Sequence, residues 1–100
     1  MTFEDLRTAV EGRTPLPDSA PALVRALVRA LWHDATGDWD GAHRIAQDVE
    51  TADGAWVHAY LHRKEGDAGN AGYWYRRAGR PPASASLDAE WASIAAALLG

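Results

Sequence analysis

Residues 56–79 read WVHAYLHRKEGDAGNAGYWYRRAG, and they echo an earlier stretch of the chain. Shifted by 29 residues, Ala30, His33, Gly37, Asp38 and Ala42 fall on Ala59, His62, Gly66, Asp67 and Ala71. Each copy places a Gly-Asp pair between two helix-length segments. Glycine ends a helix by adopting the left-handed conformation, and aspartate starts the next by accepting its first free N–H groups. A self-match centred on such a turn marks a repeated helical hairpin.

The flanking sequence extends this reading. Ahead of the first copy, Thr2 and Asp5 form a capping-box pattern, followed by Phe3, Leu6 and Val10 at helical spacing, so a short helix should stop near Gly12. The segment from Arg13 to Pro21 carries three prolines and reads as a loop. Asp18 or Ser19 can cap the next helix, which runs to about Thr36 and is apolar on most sides, as a central helix would be. After Asp38, Ala42, Ile45, Ala46 and Val49 form a stripe; after Asp67, Ala71, Trp74, Tyr75 and Ala78 form its counterpart. Thr51 or Asp53 starts the helix between them, with Trp56, Val57, Tyr60 and Leu61 on its apolar arc. Gly79 and the Pro81-Pro82 pair stop the fifth helix, and Ser84 or Ser86 caps a last one whose Leu87, Trp91, Ile94, Ala95 and Leu98 face inward. The expectation is one all-α domain over residues 1–100: a compact bundle of five or six helices, with hairpins over residues 20–50 and 52–79 and a capping helix over 84–99.

Composition sets the outer limits. A chain of 100 residues is one domain, and 47% hydrophobic residues, mostly Ala and Leu, favour a helical core. The absence of Cys excludes disulfides and thiolate metal sites and fits a reducing cytoplasm. The longest apolar run, Ala20 to Trp32, is interrupted by Arg25 and Arg29 and is too short for a membrane span. Net charge is −4, yet Arg63, Lys64, Arg76, Arg77 and Arg80 crowd one segment against only Glu65 and Asp67. A local basic patch on an acidic chain points to a specific anionic small molecule or peptide and argues against general nucleic-acid binding.

Candidate site residues follow from helical phase. His58, His62 and Glu65 fall within about 60° of one another on an ideal helix, away from the apolar arc. Arg29 and His33 occupy related positions in the first hairpin, and Asn70, Tyr73 and Arg77 form a polar strip on the fifth helix. If the hairpins stack in register, these eight residues converge on an anion or carboxylate site, with Arg as planar donor and His as a donor or acceptor near neutral pH. The alternative is that they are solvated helix faces of a structural or homo-oligomerising protein.

His58 and His62 also have the i, i+4 spacing of two metal-ligating imidazoles, with His43, His33 or Glu65 as a third ligand, which leaves a small metalloprotein or enzyme using His58 and His62 as the rival reading. Ala59 follows His58, so the metalloprotease pattern H-E-x-x-H is absent, and no metal is expected on the pattern alone. Gly66, Gly69 and Gly72 match no phosphate loop or dinucleotide fingerprint, so no cofactor is expected either; Gly69 and Gly72 read as sites of close packing or of room for a ligand. Ser84, Ser86 and Ser93 have no nucleophile elbow, which leaves no reaction motif.

Two resemblances add to this. The Gly-Asp turns in GDWDGA and GDAGNA are similar to those of tetratricopeptide-like and Sel1-like hairpins, which implies a peptide-binding scaffold. The 56–79 stretch also resembles the signature of a family of small all-helical proteins that reads W-H-A, then H-R-x-E-G-D, then N-x-x-Y-W-x-R-R, with Val57 inserted here between Trp56 and His58. That resemblance covers Trp56, His58, Ala59, His62, Arg63, Glu65, Gly66, Asp67, Asn70, Tyr73, Trp74, Arg76 and Arg77 and implies a functional polar face, without implying an activity.

Overall fold

Both Gly-Asp pairs form helix-to-helix turns of the same geometry. Gly37 and Gly66 take left-handed φ angles of 96° and 89°, where any other side chain would be strained. The N–H of Asp38 donates to the carbonyl of His33 at 2.7 Å, and that of Asp67 to His62 at 2.9 Å. Each aspartate side chain then accepts from the next helix, Asp38 from the Gly41 N–H and Asp67 from the Asn70 N–H. These contacts satisfy helix-end groups that would otherwise be orphaned.

The computed structural model describes residues 1–16 and 20–99. It has six helices and no strand among the described residues: α1 (Phe3–Gly12), α2 (Ala22–Ala35), α3 (Trp39–Gln47), α4 (Ala52–Lys64), α5 (Ala68–Ala78) and α6 (Leu87–Leu99). Asp18 and Ser19, the caps suggested for α2, lie outside the described residues; Pro21 occupies the N-cap position without a side-chain bond. Elsewhere side chains do the capping. Thr2 and Asp5 complete a capping box, Thr51 accepts from the Gly54 N–H, and Ser86 accepts from the Ala89 N–H.

The helices pack as α2 against α3 and α4 against α5, with α3 laid against α4 and α6 across α2 and α4. Small residues set the approach: Ala30, Ala42, Ala59 and Ala71 are all buried. The centre is α4, not α2. Every residue from Gly54 to His62 is buried, whereas α2 leaves Leu23 and Arg29 exposed. A helix flanked by four others has no solvated face, so its polar residues are enclosed along with its apolar ones. On α5 the deepest side chains are Ala71 and Tyr75, and Trp74 is half-buried at the edge.

Two buried carboxylates tie the layers together. Glu90 on α6 accepts from Trp56 Nε1 and the Tyr75 hydroxyl and pairs with Arg63, which also donates to the Ala85 carbonyl. Asp34 on α2 accepts from the Tyr60 hydroxyl and Lys64. Burial and these carboxylates push both tyrosines well above the ordinary phenol range. Trp91 Nε1 closes α6 onto the Leu31 carbonyl at 3.1 Å. No described helix is long and apolar enough to cross a membrane.

Candidate functional site

Where α3 crosses α4, three imidazoles meet. His43 comes from α3, and His58 and His62 lie one turn apart on α4. Their ring centroids are 4.7 Å (His43–His58), 4.9 Å (His58–His62) and 5.2 Å (His43–His62) apart. One ligand nitrogen from each falls within 4.8 Å of the others. His58 and His62 are 5% and 8% exposed, and His43 is half-buried.

The closest approach is His43 Nε2 to His58 Nε2, 3.0 Å. Two imidazole nitrogens at that distance must either share one proton or turn their lone pairs to one cation. Burial, then the neighbouring His43 and His62, lowers the His58 pKa to about 4; burial and His62 lower that of His43. Both rings are therefore neutral at pH 7, the form in which imidazole binds metal. His62 Nδ1 sits 2.6 Å from Glu65 Oε2. A carboxylate accepts, so Nδ1 carries a proton, and in the neutral ring the lone pair is then on Nε2.

Tryptophans hold the trio from both sides. Trp39 stacks on His43 at 4.9 Å and 10°, and Trp74 stacks on His58 at 3.9 Å and 18°. Trp39 is itself fixed by its Nε1–H, which donates to the Leu61 carbonyl at 2.8 Å. Its i, i+4 spacing to His43 was visible in the sequence, but nothing there linked it to α4.

Of the eight site residues read from the sequence, His58, His62 and Glu65 come together. The two histidines lie inside the protein and not on a solvated strip, because α3 and α5 cover that side of α4. Arg77 lines a groove with His58 but makes no described contact with the three: its guanidinium lies 5.3 Å over the Trp74 ring and donates to the Tyr73 hydroxyl at 3.1 Å. Tyr73 is exposed and edge-on to Trp74. Asn70 caps the turn, bonding Asp67 through its backbone and side chain and holding that carboxyl below its usual range. His33 pairs with Asp38 at 3.1 Å, whereas in the second copy His62 pairs with Glu65 and not with Asp67, the residue equivalent to Asp38; Arg29 is exposed on α2, and no described contact joins Arg29 or His33 to the trio. Gly72 does not serve close packing, since a methyl group there would meet only the Arg76 guanidinium at 3.5 Å, and around Gly69 the nearest atom is 3.8 Å away.

A groove of about 260 Å³ opens beside His58, between the end of α3, the start of α4 and the C-terminal half of α5. No protein-family model, curated protein or solved structure matches the chain.

Proposed function

We propose that the protein is a small helical metal-binding module in which His43, His58 and His62 hold one zinc ion. The observation that carries this is the buried convergence of three imidazoles from two helices, with the 3.0 Å Nε2–Nε2 approach at its centre. Nitrogens bound to a tetrahedral zinc at about 2.0–2.1 Å lie about 3.3 Å apart, so His43 and His58 are already near that spacing and His62 needs to close by about 1.5 Å at most. Glu65 is an outer carboxylate of the kind that orients a ligating histidine. An all-imidazole set suits zinc, nickel, copper or iron and disfavours magnesium and calcium, which take oxygen ligands. The duplicated Gly-Asp hairpin is then the scaffold that brings α3 beside α4.

A second reading keeps the rings as structure: Trp39 stacked on His43 and Trp74 stacked on His58, the two pairs meeting edge-on through one imidazole–imidazole hydrogen bond. Titration of untagged, metal-stripped protein with zinc separates the two. The metal reading expects one equivalent bound, weakened at least about 100-fold in His43→Asn, His58→Asn and His62→Asn, since even outer-shell changes cost 10–100-fold, and unchanged in His33→Asn. No saturable binding, or equal binding in all four variants, leaves the stack as the reading.

A further inference from the structure

We infer that the groove between α4, α6 and residues 80–85 binds a small organic monocarboxylate through Arg80. The groove lies apart from the three imidazoles: Trp56, Tyr75, Glu90 and Ser93 line it from the helices, and none of His43, His58 and His62 does. Of the basic residues crowded into this part of the sequence, Arg63 pairs with Glu90 and Lys64 with Asp34, whereas Arg80 forms no ion pair among the described residues. Its guanidinium carbon lies 3.5 Å from the Trp56 ring centroid. That is van der Waals contact, so the group lies flat on the indole. Its N–H donors then point sideways, and none is spent on the ring.

The segment that carries Arg80 is pinned at both ends. Gly79, with φ of 71°, turns the chain out of α5, and the Arg80 N–H donates to the Tyr75 carbonyl at 3.0 Å. Pro81 and Pro82 stiffen the next two residues, and Arg63 donates to the Ala85 carbonyl at the far end. A donor fork held in place before the ligand arrives loses little entropy on binding, and its planar geometry matches a carboxylate. Ser84 and Ser93 add hydroxyls that make no hydrogen bond among the described residues, and Pro81, Pro82 and Ala83 offer apolar surface to the carbon body of the acid. Glu90 also lines the groove, but its Oε1 accepts from Arg63 and its Oε2 from Trp56 and Tyr75. With Arg63 counted beside the lining residues, Arg80 and Arg63 outweigh Glu90 by one positive charge. A monoanion balances that charge, a dianion such as phosphate exceeds it, and a neutral molecule gains nothing from it. At about 30 Å³ per water-sized volume, 380 Å³ holds a ligand on the order of ten non-hydrogen atoms.

The Trp56 indole N–H, which donates to Glu90 under the Arg80 stack, is the reporter. Full-length protein is titrated at constant ionic strength with propanoate and benzoate, with inorganic phosphate and benzamide as comparisons, while the indole N–H signals are followed by NMR; the Trp56 signal is the one lost in Trp56→Phe. The expected result is a saturable shift of that signal with both carboxylates, at least tenfold weaker binding of phosphate and none of benzamide. Benzoate should bind at least tenfold more weakly to Arg80→Gln, in which the other indole signals stay in place and report an intact fold. It should bind equally to Arg77→Gln, which removes the arginine stacked on Trp74. No saturable shift with either carboxylate, benzoate binding unchanged in Arg80→Gln, or phosphate or benzamide bound as tightly as benzoate overturns the inference, and none of these results touches the zinc reading.

Discussion

Gly54→Ala should destabilise the protein, although helix propensity alone says the opposite. Gly54 lies in the first turn of α4, where exchanging Gly for Ala can stabilise a helix by up to about 1 kcal/mol. A Cβ built there would lie 2.0 Å from the Val49 carbonyl oxygen, 3.0 Å from its carbon and 3.1 Å from the Val49 Cβ. The obstacle is backbone, and the Val49 and Thr51 N–H groups are already committed, to Ala46 and Val49. The link between α3 and α4 must recede by more than an ångström, and overpacking of that kind costs about 3 kcal/mol at the upper end of its usual range. The net effect is a loss of about 2 kcal/mol. Gly72→Ala on α5 is the control: its new methyl meets only the mobile end of Arg76 at 3.5 Å, so the propensity gain of about 0.5–1 kcal/mol should survive. Urea unfolding of metal-free protein, followed by tryptophan fluorescence, reads both. With a slope of about 1–3 kcal/mol per molar urea, Gly54→Ala should lower the midpoint by about 0.7–2 M, and Gly72→Ala should raise it by about 0.2–1 M. A Gly54→Ala protein as stable as the wild type would refute the packing of residues 48–51 on α4, and with it the shape of the groove beside His58.

Glu90→Gln should cost about 3 kcal/mol, because it removes the charge that a buried three-partner network satisfies and leaves Arg63 unpaired; thermal unfolding reads this as a large fall in Tm. Trp74→Ala should cost about 2–3 kcal/mol, below the figure for a fully buried Trp because Trp74 lies half-exposed, and Arg76→Ala should fall within about 0.5 kcal/mol of wild type by the same denaturation. Metal-free protein should lose stability as pH falls from about 6.5 to about 4. The lowered His58 pKa means that the unfolded chain takes up a proton there before the folded one does, with a slope of at most about 1.4 kcal/mol per pH unit for one proton; the same slope in His58→Asn would sink this. Glu65→Gln should weaken zinc binding by 10–100-fold in a chelator competition while leaving unfolding of the metal-free protein little changed.

Much of the architecture was legible because local chemistry writes it. The paired Gly-Asp turns, the Thr2, Thr51 and Ser86 caps and the Ala-rich stripes each act within a few residues, and helices with those ends form as read. The burial of His58 and His62 was not legible, because helical phase describes one helix against one neighbour, and α4 is enclosed by α2, α3, α5 and α6. For the same reason α2, the more apolar sequence, looked central when α4 is. His58 and His62 could be paired from their spacing, and His43 offered as a third ligand, but only the crossing of α3 over α4 selects it over His33. Trp39 showed only its spacing to His43, not its bond to a carbonyl 22 residues away, and Gly54 acts through its lack of a side chain.

Whether His43, His58 and His62 bind one metal ion is read out by X-ray absorption at the zinc edge of the loaded, untagged protein. The expected spectrum has three imidazole nitrogens at about 2.0–2.1 Å with their outer-ring scattering, plus one oxygen ligand, and loses one imidazole in His43→Asn. A shell of water-like oxygens only, or an imidazole count that does not change when His43 is replaced, would contradict binding by the three.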